Sequence, residues 1–125
     1  MIGVSRSTAA LGVTLLLIGA ARADGDAARG EARFQDCAPC HKLEASSNNV
    51  GPSLHGIFER KAGALADFRY SPAMKRSGIS WTPETFDKFI ADPQAMVPTN
   101  RMPYAGMANP NDRADLIAYL QKMSK

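Results

Sequence analysis

Cysteine and histidine are scarce in this chain. Its 125 residues hold two cysteines, Cys37 and Cys40, and two histidines, His41 and His55. A four-ligand zinc site would need a second cysteine pair or more histidines, so it lacks partners. No sustained strand-period alternation and no internal repeat are visible, which removes the signatures of β-rich and solenoid folds. A thioredoxin-like dithiol would want a βαβ context, and none is seen. An apolar run long enough to cross a bilayer is missing too; the one at residues 9–21 falls short.

Residues 1–23 instead have the layout of a secretory signal peptide. Arg6 marks the n-region, the apolar run follows, and Ala21-Arg22-Ala23 forms an A-x-A cleavage site. Cleavage is expected there, leaving residues 24–125 as one domain with one modest core and no stable membrane insertion. The net charge then falls from +3 to +1, because Arg6 and Arg22 leave with the leader and no acidic residue does. Nucleic-acid binding loses its main electrostatic support. Export also implies an oxidising periplasm, where free cysteines pair unless something else claims them.

Cys37-Ala38-Pro39-Cys40-His41 offers such a claim. Two thiols about one helical turn apart can reach the two vinyl groups along one porphyrin edge, and the next residue places an imidazole beneath the ring. This is the spacing of a c-type haem attachment site. A disulfide, a redox-active dithiol and half of a zinc site are the competing readings.

Around this stretch the pattern is helical and short. Asp24-Gly25-Asp26 can cap a first helix carrying Ala27, Gly30 and Phe34 as its apolar stripe. Gly30 costs about 1 kcal/mol of helix stability relative to Ala, which a close helix crossing would justify. Residues 42–63 dissolve into serine, asparagine, glycine and proline, a long loop that needs an organiser such as a large apolar cofactor. Residues 71–77 can form a short helix with Ser71 as cap. Thr82-Pro83-Glu84 starts another, with Phe86, Phe89 and Ile90 as its face and Asp92-Pro93 as its end. Residues 93–101 read as mostly irregular. A last helix starts near Asn109-Pro110 and presents Ile117 and Leu120, with Leu116 and Tyr119 beside them. The expected fold is all-α, with four to five short helices and long loops around one covalently bound haem.

A low-spin electron-transfer haem needs a sixth ligand, and a thioether opposite imidazole raises its potential. Met74, Met96, Met102, Met107 and Met123 are available. Met102 stands out because Pro98 and Pro103 stiffen the loop that holds it, although Met96 and Met107 stay open on spacing alone.

Taken together, the ordered set resembles class I cytochrome c, the group of mitochondrial cytochrome c and bacterial cytochrome c2. The resemblance runs through Gly30 and Phe34, the Cys37 to His41 site, residues 51–63, Tyr70-Ser71, Trp81, residues 98–106 and residues 115–120. It implies haem c bound through Cys37 and Cys40, with His41 and Met102 as iron ligands. It also implies that the Pro52 carbonyl holds the His41 ring, and that Arg60, Tyr70 and Trp81 lie near the haem propionates. His55 falls away from the iron, as a hydrogen-bonded loop histidine. The implied role is a monomeric periplasmic carrier of single electrons, not an enzyme. Its partners would be redox proteins: quinol-cytochrome c reductase, a terminal oxidase, a reaction centre or a dehydrogenase. A haem peroxidase or gas-binding protein with a labile methionine is the alternative.

Departures from the family pattern carry expectations of their own. Phe89 stands where the mitochondrial pattern has a tyrosine donor to the ligand sulfur, and Met74 stands where it has a buried asparagine. Together they imply a drier pocket and a lower potential than in mitochondrial relatives. Thr99 and Asn100 replace the usual glycine and threonine of the methionine loop, with Asn100 keeping hydrogen-bonding capacity. Asp36, Gln94 and Ala95 occupy positions of the family's lysine ring, with Arg101 kept, so charge steering around the haem edge is expected to be weak.

Overall fold

In the computed structural model, described for Gly3 and residues 24–125, five α-helices surround a central cavity. The proposed leader and its cleavage site lie outside the described residues. α1 spans Ala27–Phe34, α2 Pro72–Arg76, α3 Pro83–Ala91, α4 Pro93–Met96 and α5 Pro110–Met123, with a single 3-10 turn at Ile57–Glu59. One isolated antiparallel bridge, Lys61 to Ser80, is the extended pairing among the described residues. None of the described helices is long and apolar enough to cross a membrane.

The helix starts follow from local chemistry. Asp26 caps α1 by accepting the Arg29 amide, and Ser71 caps α2 through the Met74 amide. At α3, Thr82 and Thr85 cap reciprocally, each side chain accepting the other's backbone N–H. Proline occupies the first turn of α2, α3, α4 and α5, where a missing N–H costs nothing.

One segment departs from expectation. Asp92-Pro93 ends α3, but it also starts α4 in what was expected to be irregular chain. The Asp92 side chain accepts the Ala95 amide and Pro93 takes the first helical position, so the same pair terminates one helix and caps the next.

α1 crosses α5 at Gly30. A Cβ there would overlap the Asp115 carbonyl oxygen and come within 2.7 Å of the Tyr119 Cβ, so only glycine admits this approach. Phe34 stacks on Tyr119 one turn later, with ring centroids 5.4 Å apart. On α5 the fully buried pair is Leu116 and Leu120, whereas Ile117 and Tyr119 are half-buried. The core face is therefore rotated by about one residue from the one centred on Ile117, because the crossing brings the Leu116 side inward.

A buried carboxylate fastens the same crossing. Asp115 accepts the Asp26 amide at 2.7 Å and the Arg29 guanidinium at 2.8 and 3.0 Å. Those donors hold its carboxyl below the usual carboxylate range, against the opposing effect of burial. The folded state thus favours the ionised form. Its stabilising contribution is complete above the unfolded value of about 3.9 and is lost as pH falls through the lower folded value. We predict that Asp115→Asn lowers the urea midpoint at pH 7 and flattens its decline on acidification. Parallel declines in the two proteins would refute this role for Asp115.

Candidate functional site

α1 runs directly into the cysteine motif. Cys37 and Ala38 donate to the Phe34 carbonyl, and Cys40 and His41 donate to the Cys37 carbonyl at 3.1 and 2.9 Å, so the motif is one helical turn continuing α1. Both thiols are free and line a central cavity of about 270 Å³. All nine residues singled out from the sequence border it: Cys37, Cys40, His41, Pro52, Arg60, Tyr70, Trp81, Asn100 and Met102. Met74 and Phe89 border it too. Of the other methionines considered, Met96 and Met107 pack into the core and Met123 is exposed, all outside the cavity lining. His55 is exposed and makes its hydrogen bonds through its backbone, to the Ser53 hydroxyl and from Arg60.

The residue 42–63 segment earns its order locally as well as from the cavity. Ser53 is buried, donates to the Glu44 carbonyl at 2.6 Å and receives the His55 amide, while its own amide reaches Asn48. The Gly51 and Leu54 amides bond back to the carbonyls of Cys40 and Lys42, each at 2.8 Å. Gly51 lies flat against the His41 ring, where a Cβ would collide with Cε1 and sit 2.7 Å from Nδ1.

That loop orients the imidazole. His41 Nδ1 donates to the Pro52 carbonyl at 2.8 Å, which leaves the Nε2 lone pair free. Burial lowers the His41 pKa, partly offset by the Pro52 bond and reinforced by Arg60, so the ring is neutral and able to ligate at neutral pH. Arg60 braces the same loop by donating to the Ser53 and His55 carbonyls. Burial also pushes the Cys37 thiol up to about 11, with Asp36 and Cys40 adding to it. A thiol held protonated is the opposite of what a disulfide oxidoreductase needs.

Opposite in the chain, Asn100 locks the methionine loop. Its buried amide donates to the carbonyls of Pro93 and Val97, both at 2.9 Å, and its Oδ1 accepts the Met102 amide at 2.8 Å. α4, the helix not expected from the sequence, supplies the Pro93 carbonyl.

Tyr70 accepts the Leu65 amide on its hydroxyl, and Trp81 packs edge-on against Phe89 at 5.1 Å. Leu54, Ile57, Phe68, Ile90 and Tyr104 complete the wall and were not among the expected site residues. Leu54 and Ile57, three apart in a glycine-rich stretch, carried a faint signal; Phe68 carried none.

The lining fits a haem: two free thiols at CxxCH spacing, a neutral imidazole with one nitrogen available, a thioether, and largely apolar walls. A helical shell built around such a cavity defines a domain that carries covalently attached haem. Known proteins agree. The cytochrome c family model matches residues 27–124. The chain is 47% identical over 90 residues to cytochrome c2 iso-2 of Magnetospirillum fulvum, covering 72% of this chain and 94% of that protein. It is 41% identical over 113 residues to cytochrome c2 of Rhodomicrobium vannielii, covering 90% of each. The solved structure of cytochrome cH from Methylobacterium extorquens superposes with a TM-score of 0.74 at 40% identity, covering 78% of this chain and 99% of that one. The chain belongs to the cytochrome c family. It is a class I c-type cytochrome, an electron carrier whose one haem c is attached through Cys37 and Cys40.

Thr99 sits in the methionine loop with φ of +65°, a left-handed conformation unfavourable for a β-branched residue. Thr99→Gly is expected to stabilise the haem-loaded protein by about 1 kcal/mol, read as a higher urea midpoint. An unchanged or lower midpoint would refute strain at this position.

Proposed function

We propose that this cytochrome is a periplasmic carrier of single electrons, exported by residues 1–23 and working as residues 24–125, with His41 and Met102 as the axial ligands of its iron. One observation carries the ligand assignment: His41 and Met102 line the same cavity, and each donates a 2.8 Å hydrogen bond to a dedicated anchor, the ring to the Pro52 carbonyl and the Met102 amide to Asn100 Oδ1. When bound, the haem supplies a one-electron Fe(II)/Fe(III) couple.

The chain's own residues have three tasks. Cys37 and Cys40 fix the group's position, burial keeps His41 neutral, and the Pro52 bond holds its ring oriented and more basic. Leu54, Ile57, Phe86, Phe89 and Ile90 exclude water from the cavity. Arg60, Tyr70 and Trp81 supply a cation and polar tips at one side of the cavity, where carboxylates of the group can be stabilised. No general acid, base or nucleophile is assigned, since no substrate is transformed. Redox partners of the proposed carrier are quinol-cytochrome c reductase, a terminal oxidase, a photosynthetic reaction centre or a dehydrogenase.

A gas-binding or peroxidase role would require Met102 to leave the iron readily, and the triple hydrogen bonding of Asn100 opposes that loop motion. The ferric protein is expected to show the near-infrared methionine-to-iron band, the ferrous protein to be unaltered by carbon monoxide, and Met102→Ala to lose the band. Persistence of the band in that variant would overturn Met102 as ligand. The mass of the processed protein should equal residues 24–125 plus one haem.

Phe89 is buried against Trp81 and offers no donor inside the cavity. Phe89→Tyr is predicted to raise the midpoint potential by drawing electron density from the ligand sulfur. An unchanged or lowered midpoint would dismiss the dry-pocket explanation.

A further inference from the structure

Five polar side chains are buried among the described residues: Ser53, Ser71, Asn100, Asp115 and Ser124. Ser71 caps α2, Asn100 locks the methionine loop, Asp115 fastens the helix crossing, and the Ser124 hydroxyl donates to the Leu120 carbonyl at the end of α5. Ser53 is the most deeply buried of the five, at 1% exposure, and it lies in irregular chain with no helix to cap. A hydroxyl taken out of water costs free energy unless it is bonded, so its partners reveal its task.

Ser53 follows Pro52, whose carbonyl holds the His41 ring. A proline has no N–H, and this carbonyl is committed to the imidazole, so Pro52 cannot fasten itself and depends on its neighbours. On one side the Gly51 amide donates to the Cys40 carbonyl at 2.8 Å, and the Gly51 carbonyl accepts the Asn49 amide at 2.9 Å. On the other side Ser53 uses every polar group it has. Its hydroxyl donates to the Glu44 carbonyl at 2.6 Å and accepts the His55 amide at 3.1 Å. Its amide donates to Asn48 Oδ1 at 2.9 Å, and its carbonyl accepts the Arg60 guanidinium. Gly51 brings no side chain to this clamp, which leaves the Ser53 hydroxyl as the side-chain contact nearest the anchor.

We propose that Ser53 is a positioning residue for the proximal ligand: by tying the chain after Pro52 to Glu44, its hydroxyl sets how closely the Pro52 carbonyl meets the His41 ring. This rests on the reading of His41 as an axial ligand. Donation of the ring N–H to a carbonyl makes the imidazole more basic. A more basic ligand favours ferric iron, so the hydroxyl holds the midpoint potential down. Ser53 does not line the cavity, and it therefore acts through Pro52 and not by contact with the group inside.

Proton magnetic resonance of the ferric, haem-loaded protein tests this, by following exchange of the His41 ring N–H with deuterated water beside the midpoint potential. Ser53→Ala leaves the Glu44 carbonyl without its donor; exchange is expected to accelerate about tenfold or more, and the midpoint to rise. Ser124→Ala deletes a hydroxyl that also donates over 2.6 Å from a buried site outside the cavity lining. There exchange is expected to change less than about twofold, with the midpoint unmoved. Asn48→Ala keeps Ser53 but removes the acceptor of its amide, and serves if Ser53→Ala does not load haem; both readouts are expected to move in the same direction as for Ser53→Ala. A lower urea midpoint in Ser53→Ala with exchange and potential unchanged would mark a merely structural hydroxyl and overturn the proposal. Equal acceleration in Ser124→Ala, or no movement of either readout in Asn48→Ala, would overturn it as well. A ring proton that is paramagnetically shifted but indifferent to Ser53→Ala removes the positioning role and keeps His41 as ligand, whereas one with no paramagnetic shift in the unsubstituted protein overturns the ligand reading itself.

Discussion

The approach of α1 to α5 at Gly30 is the contact on which the rest of this protein depends. With no side chain at that position, the Asp115 carbonyl occupies the space a Cβ would take, and Asp115 itself binds the start of α1 through the Asp26 amide and Arg29. One crossing therefore ties the two ends of the described domain together. It also aims the redox site, since α1 passes without a break into the turn that carries Cys37, Cys40 and His41. A shift of α5 would be transmitted along one short helix to the haem attachment residues.

From that anchor the cavity is closed by two loops, each held by hydrogen bonds to its own backbone. The residue 42–63 segment bonds to the motif it covers and sets its Pro52 carbonyl against the His41 ring. The methionine loop is locked by Asn100, whose amide satisfies two carbonyls while its oxygen takes the Met102 amide. Irregular backbone of this kind holds its shape because its polar groups are paired, and the apolar walls then supply what a small chain cannot bury on its own. The fit of these walls to haem, together with the family match over residues 27–124, joins the geometry to electron transport.

Charge is distributed as unevenly as the hydrogen bonds. Arginines near the helix crossing are paired with carboxylates, while Arg69, Arg76 and Arg101 in a groove beside the cavity have no ion-pair partner among the described residues. A near-neutral chain can thus present a locally positive groove that shares Arg69, Tyr70 and Arg101 with the cavity wall.

Much of this was legible from residue order alone. The attachment motif, the caps at Asp26, Ser71 and Thr82, the apolar face of α3 and the need for a close contact at Gly30 all depend on neighbours within about one helical turn, where spacing is geometry. α4 was missed because Asp92-Pro93 serves both as a stop and as a start, and a local reading of that pair recognises the stop first. Tertiary structure alone decided which methionines face the cavity, how Asn100 replaces the family's usual loop chemistry, and that Phe68 and Tyr104 belong to the wall. It alone brought Arg69, Lys75, Arg76 and Arg101 to one groove. Those outcomes rest on contacts between segments far apart in the chain, whose directions are set by packing and by backbone hydrogen bonds that no periodicity encodes.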